Sequence, residues 1–278
     1  MANSANGWCP TEYIFTLRST DSSTGVARIR TDVGEAFIKA LGNPVGPHAL
    51  VREFLGTALA EWMSLRTFDY AIFEVGGTDR IRLGHARDAR PGPAFVARAE
   101  KGISWFGDDR SLESVVNIEQ VAGIIVLDTL ILNWDRCPPI DDNRRPNYGN
   151  IFLSLEGGIA GQFEMVTIDH THCLGGGQEL SRRLLGIEAV KDDRIFGAFP
   201  QFARYVKKET VREAVSKLRS LNDGVLTRIL DHIPRQWSVS DSLRDHIRSF
   251  LVQRAAYLAD NIEGKLIHFA GVQGKIEL

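Results

Sequence analysis

The chain has 278 residues, 44% hydrophobic and 24% charged, with a formal net charge of -2 and a pI near 6.4. This is the balance of an ordinary globular protein, long enough to bury a sizeable core in one large domain or two lobes. It excludes a global basic field that would recruit nucleic acid. Three cysteines without paired spacing (Cys9, Cys137 and Cys173) exclude a disulfide framework and point to a reducing compartment.

No stretch reaches the roughly 18 uninterrupted apolar residues that a membrane span needs. The most apolar run, 123–132, is too short and runs into Asn133, Trp134, Asp135 and Arg136. The opening residues MANSANGWCPTE lack a basic segment followed by an apolar core. No signal peptide is therefore expected, and the expected location is cytoplasmic. There is no internal repeat and no low-complexity tract.

Residues 13–18 are rich in aromatic and β-branched side chains and read as a strand. Residues 19–25 (STDSSTG) are small and polar, a loop. Residues 26–31 alternate apolar and charged, as a half-exposed strand does, and after a turn at 32–35 a third strand covers 36–41. The small residues Ser22, Ser23, Thr24 and Gly25 would let backbone N–H groups and hydroxyls reach an anion. There is no GxGxxG, and a plain hairpin loop fits as well. Lys39 lies in the third strand, and alternation sets it on the face opposite Ile38 and Ala40. On an edge strand such a lysine would simply face solvent.

A two-proline turn at 43–48 leads into a helix over 49–65. Leu50, Phe54, Ala58 and Trp62 recur every four residues, and Val51, Leu55 and Leu59 widen the stripe. Glu53 lies within this apolar face, where a carboxylate is costly unless paired, and Lys39 is the obvious counter-ion. The alternative is a surface acid favoured by the helix dipole. Residues 68–75 and 93–98 read as strands around an irregular stretch, 76–92, that carries Arg80, Arg82, Arg87 and Arg90. Helical content rises beyond Lys101, so the expected boundary divides 1–101 from 102–278.

Residues 112–116 form a short predicted helix, and 118–133 a longer one that is apolar nearly all round and hence buried. It delivers Asp135 from a rigid support. The loop 138–146 carries Asp141, Asp142, Arg144 and Arg145, read either as a solvated loop or as a contact to substrate or phosphate. Asn147 caps the loop, and Asn150 directly precedes a strand at 151–155. A turn at Gly157 and Gly158 joins it to a strand at 164–169 that ends in Asp169, so the hairpin brings Asn150 and Asp169 together. An acid after a buried helix, an Asn before a strand and an acid ending the next strand are what phosphoryl transfer to a hydroxyl requires. One carboxylate orients the hydroxyl, and the other two residues offer hard oxygen ligands to Mg²⁺. Cys137, His170, His172 and Cys173 allow a zinc site as an alternative, although tetrahedral zinc wants closer, better-defined pairs. Residues 178–187, 209–221, 224–233 and 240–262 show helical spacing. In the last of these, Leu243, Ile247, Phe250, Leu251, Arg254 and Leu258 trace a stripe that reads as scaffold and partner surface.

Four pieces in this order resemble the HipA-like kinases, which are related more distantly to phosphoinositide kinases. They are AFIKALGNPVGPHALVREFLGTALAEWMSL at 36–65, the pair Asp135 and Arg136, Asn150 before its strand, and the pair Ile168 and Asp169. The resemblance covers most of the chain. It implies a two-lobed, protein-kinase-like α+β fold with a small antiparallel-sheet lobe and a mainly helical lobe. It implies phosphoryl transfer dependent on ATP and Mg²⁺, to a Ser or Thr hydroxyl of a protein. Lys39, ordered by Glu53, would hold the ATP phosphates under the loop of Ser22, Ser23, Thr24 and Gly25. Backbone groups near Ala99 and Glu100 would meet adenine, Asp135 would serve as base, and Asn150 and Asp169 would bind Mg²⁺. Cys137 departs from the family, which often has His there. Other readings on the same fold are a small-molecule hydroxyl acceptor, transfer of AMP, and a pseudokinase that binds nucleotide as a scaffold. A regulatory partner protein, as in toxin–antitoxin pairs, is a further expectation; a nucleic-acid partner and a membrane are not expected.

Overall fold

Period-two patterning near the N-terminus builds a sheet. The computed structural model describes residues 7–157 and 161–273. Its first sheet is antiparallel and made of β1 (Tyr13–Ser19), β2 (Ala27–Thr31), β3 (Gly34–Lys39), β4 (Tyr70–Val75) and β5 (Gly92–Arg98), in the order β1-β2-β3-β5-β4. In β2, buried Ala27, Ile29 and Thr31 alternate with exposed Arg28 and Arg30, the signature of a strand with one face covered. β3 is not an edge: it lies between β2 and β5, and Lys39 stands opposite Phe95. The strand that ordinarily would show a lysine to water therefore encloses it.

α1 (His48–Trp62) crosses one face of this sheet. It ends three residues short of the expected 65, where Ser64 adopts a left-handed φ of 64° and Leu65 bonds back to the Ala60 carbonyl. The opposite face of the sheet carries its own core, in which Ile29, Ile38, Phe73 and Val96 pack with Ile81 and Leu83 of the irregular connection.

A second antiparallel sheet is ordered β6 (Gly102–Ser104), β7 (Ile151–Ser154), β8 (Glu164–Thr167). The β7–β8 pairing is as expected, with Ile151 opposite Thr167. The expected extension of β8 to 169 does not form. The Ile168 carbonyl accepts from Arg136 instead of a neighbouring strand, and Asp169 turns to a φ of 56°. Of the expected Gly157–Gly158 turn, residues 158–160 lie outside the described residues.

α2 (Asp109–Glu113) begins before the expected 112 because the Asp108 carboxylate accepts from the Ser111 N–H at 2.7 Å, an N-cap. α3 (Val121–Leu130) follows a single 3-10 turn, Ile118–Gln120, and buries every residue except Gly123, as its all-round apolarity requires. The helix expected over 178–187 is absent. Leu174, Gly175 and Gly177 all have positive φ, and the Gln178 carbonyl and Leu180 N–H are taken by Arg52 and His48. Residues 178–180 are thus tied to α1, and of the expected helix only α4 (Ile187–Lys191) is present. α5 (Lys208–Ser220), α6 (Asp223–Leu230) and α7 (Asp241–Asn261) lie close to their expected places, and α8 (Glu263–Gln273) adds a helix that the periodicity did not announce. Together with α1, α3 and the second sheet they close the large core. Among the described residues no helix is long and apolar enough to cross a membrane.

Candidate active site

The only lysine of β3 meets the only acid of α1's buried face. Lys39 Nζ lies 2.8 Å from Glu53 Oε2, 2.8 Å from Asp169 Oδ1 and 2.8 Å from Thr171 Oγ1. Thr171 Oγ1 also donates to Glu53 Oε2 at 2.7 Å, so the hydroxyl completes a closed ring of partners. Burial alone would lower the Lys39 ammonium, but Asp169 and then Glu53 hold it well above its ordinary value. Burial alone would likewise raise the Asp169 carboxyl, yet Lys39 keeps it well below the usual carboxylate range. The Lys39–Asp169 pair is therefore ionised, with a carboxylate at the mouth of the cluster: the Asp169 side chain is 31% exposed against 9% for Lys39 and 6% for Glu53.

The second half of the site hangs from the end of α3. Leu132 takes a φ of 52°, which turns the chain out of the helix, and the Asn133 N–H returns to the Asp128 carbonyl. Asp128 Oδ1 accepts from Asn133 Nδ2 at 2.9 Å and from Arg136 Nη1 at 2.6 Å, an ion pair with no exposed surface on either side chain. Arg136 is a hub. Its Nε donates to the Asn150 carbonyl and its Nη2 to the Ile168 carbonyl, so one guanidinium fixes the entry to β7 and the exit from β8. Asp135 is thereby carried beside Asn150, whose Nδ2 donates to Asp135 Oδ2 at 2.7 Å. Asn147 Nδ2 donates to the same oxygen at 3.2 Å, so this Asn serves Asp135 rather than only its own loop.

Lys39, Glu53 and Asp169 thus stand together, as do Asp135 and Asn150. The hairpin joins the two groups: the Ile168 N–H donates to the Asn150 carbonyl one residue before Asp169. Asn150 commits its amide nitrogen to Asp135, which leaves Oδ1 as its remaining polar atom. An amide oxygen and an ionised carboxylate are the hard donors that suit Mg²⁺, so these residues fit the ion.

Other expected residues stand elsewhere. In the loop between β1 and β2, Thr24 is buried with its hydroxyl unpartnered among the described residues. The loop is drawn down against residue 84, where only glycine fits: a Cβ there would lie 2.0 Å from the Thr20 carbonyl oxygen. The Ser22 carbonyl accepts from Gly25 N–H and bonds His85 Nε2, and Ser22 Oγ accepts from Val26 N–H. Ser23 is the member that reaches the site side, with Oγ 2.9 Å from His172 Nε2. The Ala99 N–H donates to the Glu35 carbonyl at 2.9 Å and is not free for adenine. The Glu100 carboxylate pins the two sheets from within, to Arg66 Nη2 at 2.6 Å and Ser154 Oγ at 2.6 Å.

The zinc alternative fails on geometry. Among the described residues no three His, Cys, Asp or Glu side chains gather as a metal would need. Burial pushes the Cys137 and Cys173 thiols up to about 12, far from thiolate chemistry. His170 is fully buried with both ring nitrogens unpartnered, and a Cβ at Gly56 would lie 2.3 Å from its Cβ. It is a packing residue against α1.

Thr171, Asp128 and Arg136's two carbonyl contacts were not anticipated. Asp128 had a signal: it is the single acid in the apolar run of α3, and a buried carboxylate demands a cation. Beside Asp135, a cavity of about 530 Å³ opens, lined among others by Trp134, Arg144, Arg145 and His172.

No family model matches the chain, and no curated protein matches it. Among solved structures the chain is similar to the proinflammatory kinase CtkA of Helicobacter pylori. The identity is 11%, 93% of this chain and 96% of that chain are covered, and the TM-score is 0.58. The kinase domain of PknI from Mycobacterium tuberculosis aligns over 98% of each chain at 14% identity, with a TM-score of 0.30. The CtkA likeness shows the fold: a two-lobed, protein-kinase-like α+β architecture, with an antiparallel-sheet lobe and a mainly helical lobe.

Proposed function

We propose that this protein is an ATP- and Mg²⁺-dependent phosphotransferase of HipA-like type, acting on a Ser or Thr hydroxyl of a protein. The observation that carries the reading is Lys39 Nζ held at 2.8 Å by Glu53 and at 2.8 Å by Asp169, with Asp135 and Asn150 bonded to each other at 2.7 Å. In such a site catalysis is positioning plus electrostatics. Lys39 meets phosphate oxygens, and Glu53 with Thr171 keeps its ammonium aimed. Asp135 accepts the proton of the acceptor hydroxyl, and its two Asn donors fix the orientation of its carboxylate. Asn150 and Asp169 hold Mg²⁺, which when bound neutralises charge on the phosphates. The lobes divide at 101 and 102, with ATP between them, in a cytoplasmic protein that a partner protein regulates.

The test is Asp135→Asn and Asp169→Ala beside the parent, with ATP, Mg²⁺ and a panel of protein and small-molecule acceptors, read by intact mass. A gain of one phosphoryl group by a protein acceptor, reduced about 10²–10⁴-fold in Asp135→Asn, is the expected result. Equal transfer by all three proteins would remove the assignment. A gain of AMP, or transfer to small molecules alone, would move the chemistry to another enzyme on the same fold. A Mg²⁺-dependent nucleotide shift in melting without transfer to any acceptor would leave a nucleotide-binding scaffold.

A further inference from the structure

Two arginines line the cavity beside Asp135 and a third bonds one of its lining residues; the site described above uses none of them. Arg145 lines the cavity, is exposed, and has no carboxylate partner among the described residues. Arg144 lines it too, with its fork fixed by Asp142: Nε to Oδ1 at 3.0 Å and Nη2 to Oδ2 at 2.8 Å. Its plane lies over Trp134, 4.1 Å from the ring centroid. The third is Arg52 of α1, which is fully buried. Its Nη2 donates to the carbonyl of Gln178, a residue that lines the cavity, while Nε and Nη1 have no partner.

Arg52 is the unusual member. Among the described residues no carboxylate lies within ion-pair distance of it, and burial lowers its pKa. The nearby Cys173 thiol, pushed up to about 12 by burial, is neutral and offers no compensation. A buried cation without a counter-ion is costly, and in a low-dielectric wall its field is little screened. Arg52 meets the cavity wall at the Gln178 carbonyl. Asp142 neutralises Arg144, and Asp135 is the one acid in the lining. With Arg145 set against Asp135, the surplus is one positive charge, that of Arg52 behind the lining.

We infer that the cavity takes an acidic polypeptide, in which the hydroxyl presented to Asp135 is flanked by Asp or Glu received at Arg145; this rests on the phosphotransferase reading. Arginine forks match carboxylates in a bidentate way, and charge of one sign lining a cleft concentrates ligands of the other. A chain fits better than a ring. The guanidiniums of Arg144 and Arg194 already lie over Trp134, at 4.1 and 4.7 Å, which removes the aromatic platform that a base or sugar would stack on. Gly175 and Gly176 present bare main chain to the cavity, alongside which an extended peptide can run.

The test uses the full chain with Mg²⁺ and a non-hydrolysable ATP analogue. Three labelled Ser peptides of equal length, flanked by Asp and Glu, by Ala and Gln, or by Arg and Lys, are titrated by fluorescence anisotropy. The acidic peptide is expected to bind at least about tenfold tighter than the basic one, and less so at high salt. Arg145→Glu is expected to lose that preference, and Arg145→Lys to keep most of it; both variants are surface changes whose folding a melting curve checks. Equal or tighter binding of the neutral or basic peptide, no binding of any, or an unchanged preference in Arg145→Glu would overturn the inference. The two readings fail separately. Acidic preference without phosphate transfer from ATP sinks the phosphotransferase and leaves the acidic-peptide site. Transfer that favours basic peptides sinks the site and leaves the enzyme.

Discussion

Lys39 and Asp169 stand 130 residues apart in the chain and 2.8 Å apart in space. The contact brings a strand lysine of one sheet against the acid that follows the last strand of the other. Because Glu53 and Thr171 share the same ammonium, the cost of removing a member depends on what is left behind. Lys39→Ala leaves two carboxylates facing one hydroxyl, and an uncompensated buried charge costs about 3–5 kcal/mol. Asp169→Ala leaves the Lys39–Glu53 pair intact. In urea unfolding, Lys39→Ala is expected to lose several times more stability than Asp169→Ala. Equal losses would mean that the three groups are not one network.

The neighbouring His170 sets a pH dependence. Burial first, and the positive charge of Arg136 next, lower its pKa well below the ordinary value, and neither ring nitrogen has a partner. The folded state therefore keeps it neutral, while the unfolded chain takes up a proton below about pH 6.5. Below that pH the unfolded state binds more protons, so stability falls as pH falls, by at most about 1.4 kcal/mol per unit. The comparison is parent against His170→Leu between pH 7 and 5, in chelator. His170→Leu removes two orphan nitrogens and is expected to flatten this part of the profile. Parallel profiles for the two proteins would show that His170 is protonated in the fold.

Gly56 tells packing from propensity. It lies inside α1, where alanine is ordinarily favoured by about 1 kcal/mol. Here an added Cβ would lie 2.3 Å from His170 Cβ and 2.6 Å from its Cγ. Gly56→Ala is expected to reverse the sign and destabilise by about 1–3 kcal/mol, through overpacking. It also pushes α1, and Glu53 with it, off the 169–171 segment, so nucleotide-induced stabilisation falls in the same variant. The double change Gly56→Ala with His170→Gly relieves the contact and is expected to recover part of the loss. A melting temperature for Gly56→Ala above that of the parent would refute the close approach.

What the sequence made legible follows from which residues bear visible cost. Glu53 in an apolar helix face needs a cation, and Lys39 on the preceding strand is the nearest candidate; the structure pairs them. The order Asp135, Asn150, Asp169 across a helix end and a hairpin was equally readable, because helix and strand periods are strong signals. The loops were not. The left-handed turns at Leu132, Asp169 and Leu174 are carried by residues that leave no compositional mark there, unlike glycine. The helix expected over 178–187 had acceptable spacing, but Arg52 and His48 of α1 claim its backbone groups. Thr171 was invisible for a related reason: its role depends on the turn after β8, not on any periodicity. The expected contact of Ala99 with adenine rested on position alone, and its N–H proves to be spent on Glu35.

Arg254 links the far helix to the site. It lies in the middle of α7, fully buried, where an apolar stripe would have placed another leucine. Its Nε donates to the Leu130 carbonyl at 2.9 Å and its Nη2 to the Thr129 carbonyl at 2.6 Å, both at the end of α3. Its Nη1 donates to the carbonyls of Ala189 and Val190 in α4. These are the orphan carbonyls that helix ends present, and a cation there also opposes the negative end of the dipole. Burial pulls the guanidinium down to about 10, so it stays charged at neutral pH. Arg254→Met keeps the stem volume but strands the carbonyls, at about 1–3 kcal/mol for each group left unpaired. A loss of at least about 2 kcal/mol is expected, with Arg254→Lys recovering little because an ammonium cannot span four carbonyls. Asp135 lies five residues beyond Leu130, so the variant is expected to lower phosphotransfer at temperatures where it remains folded. Unchanged stability in Arg254→Met would show that the end of α3, and with it the Asp135 loop, is held by the core alone.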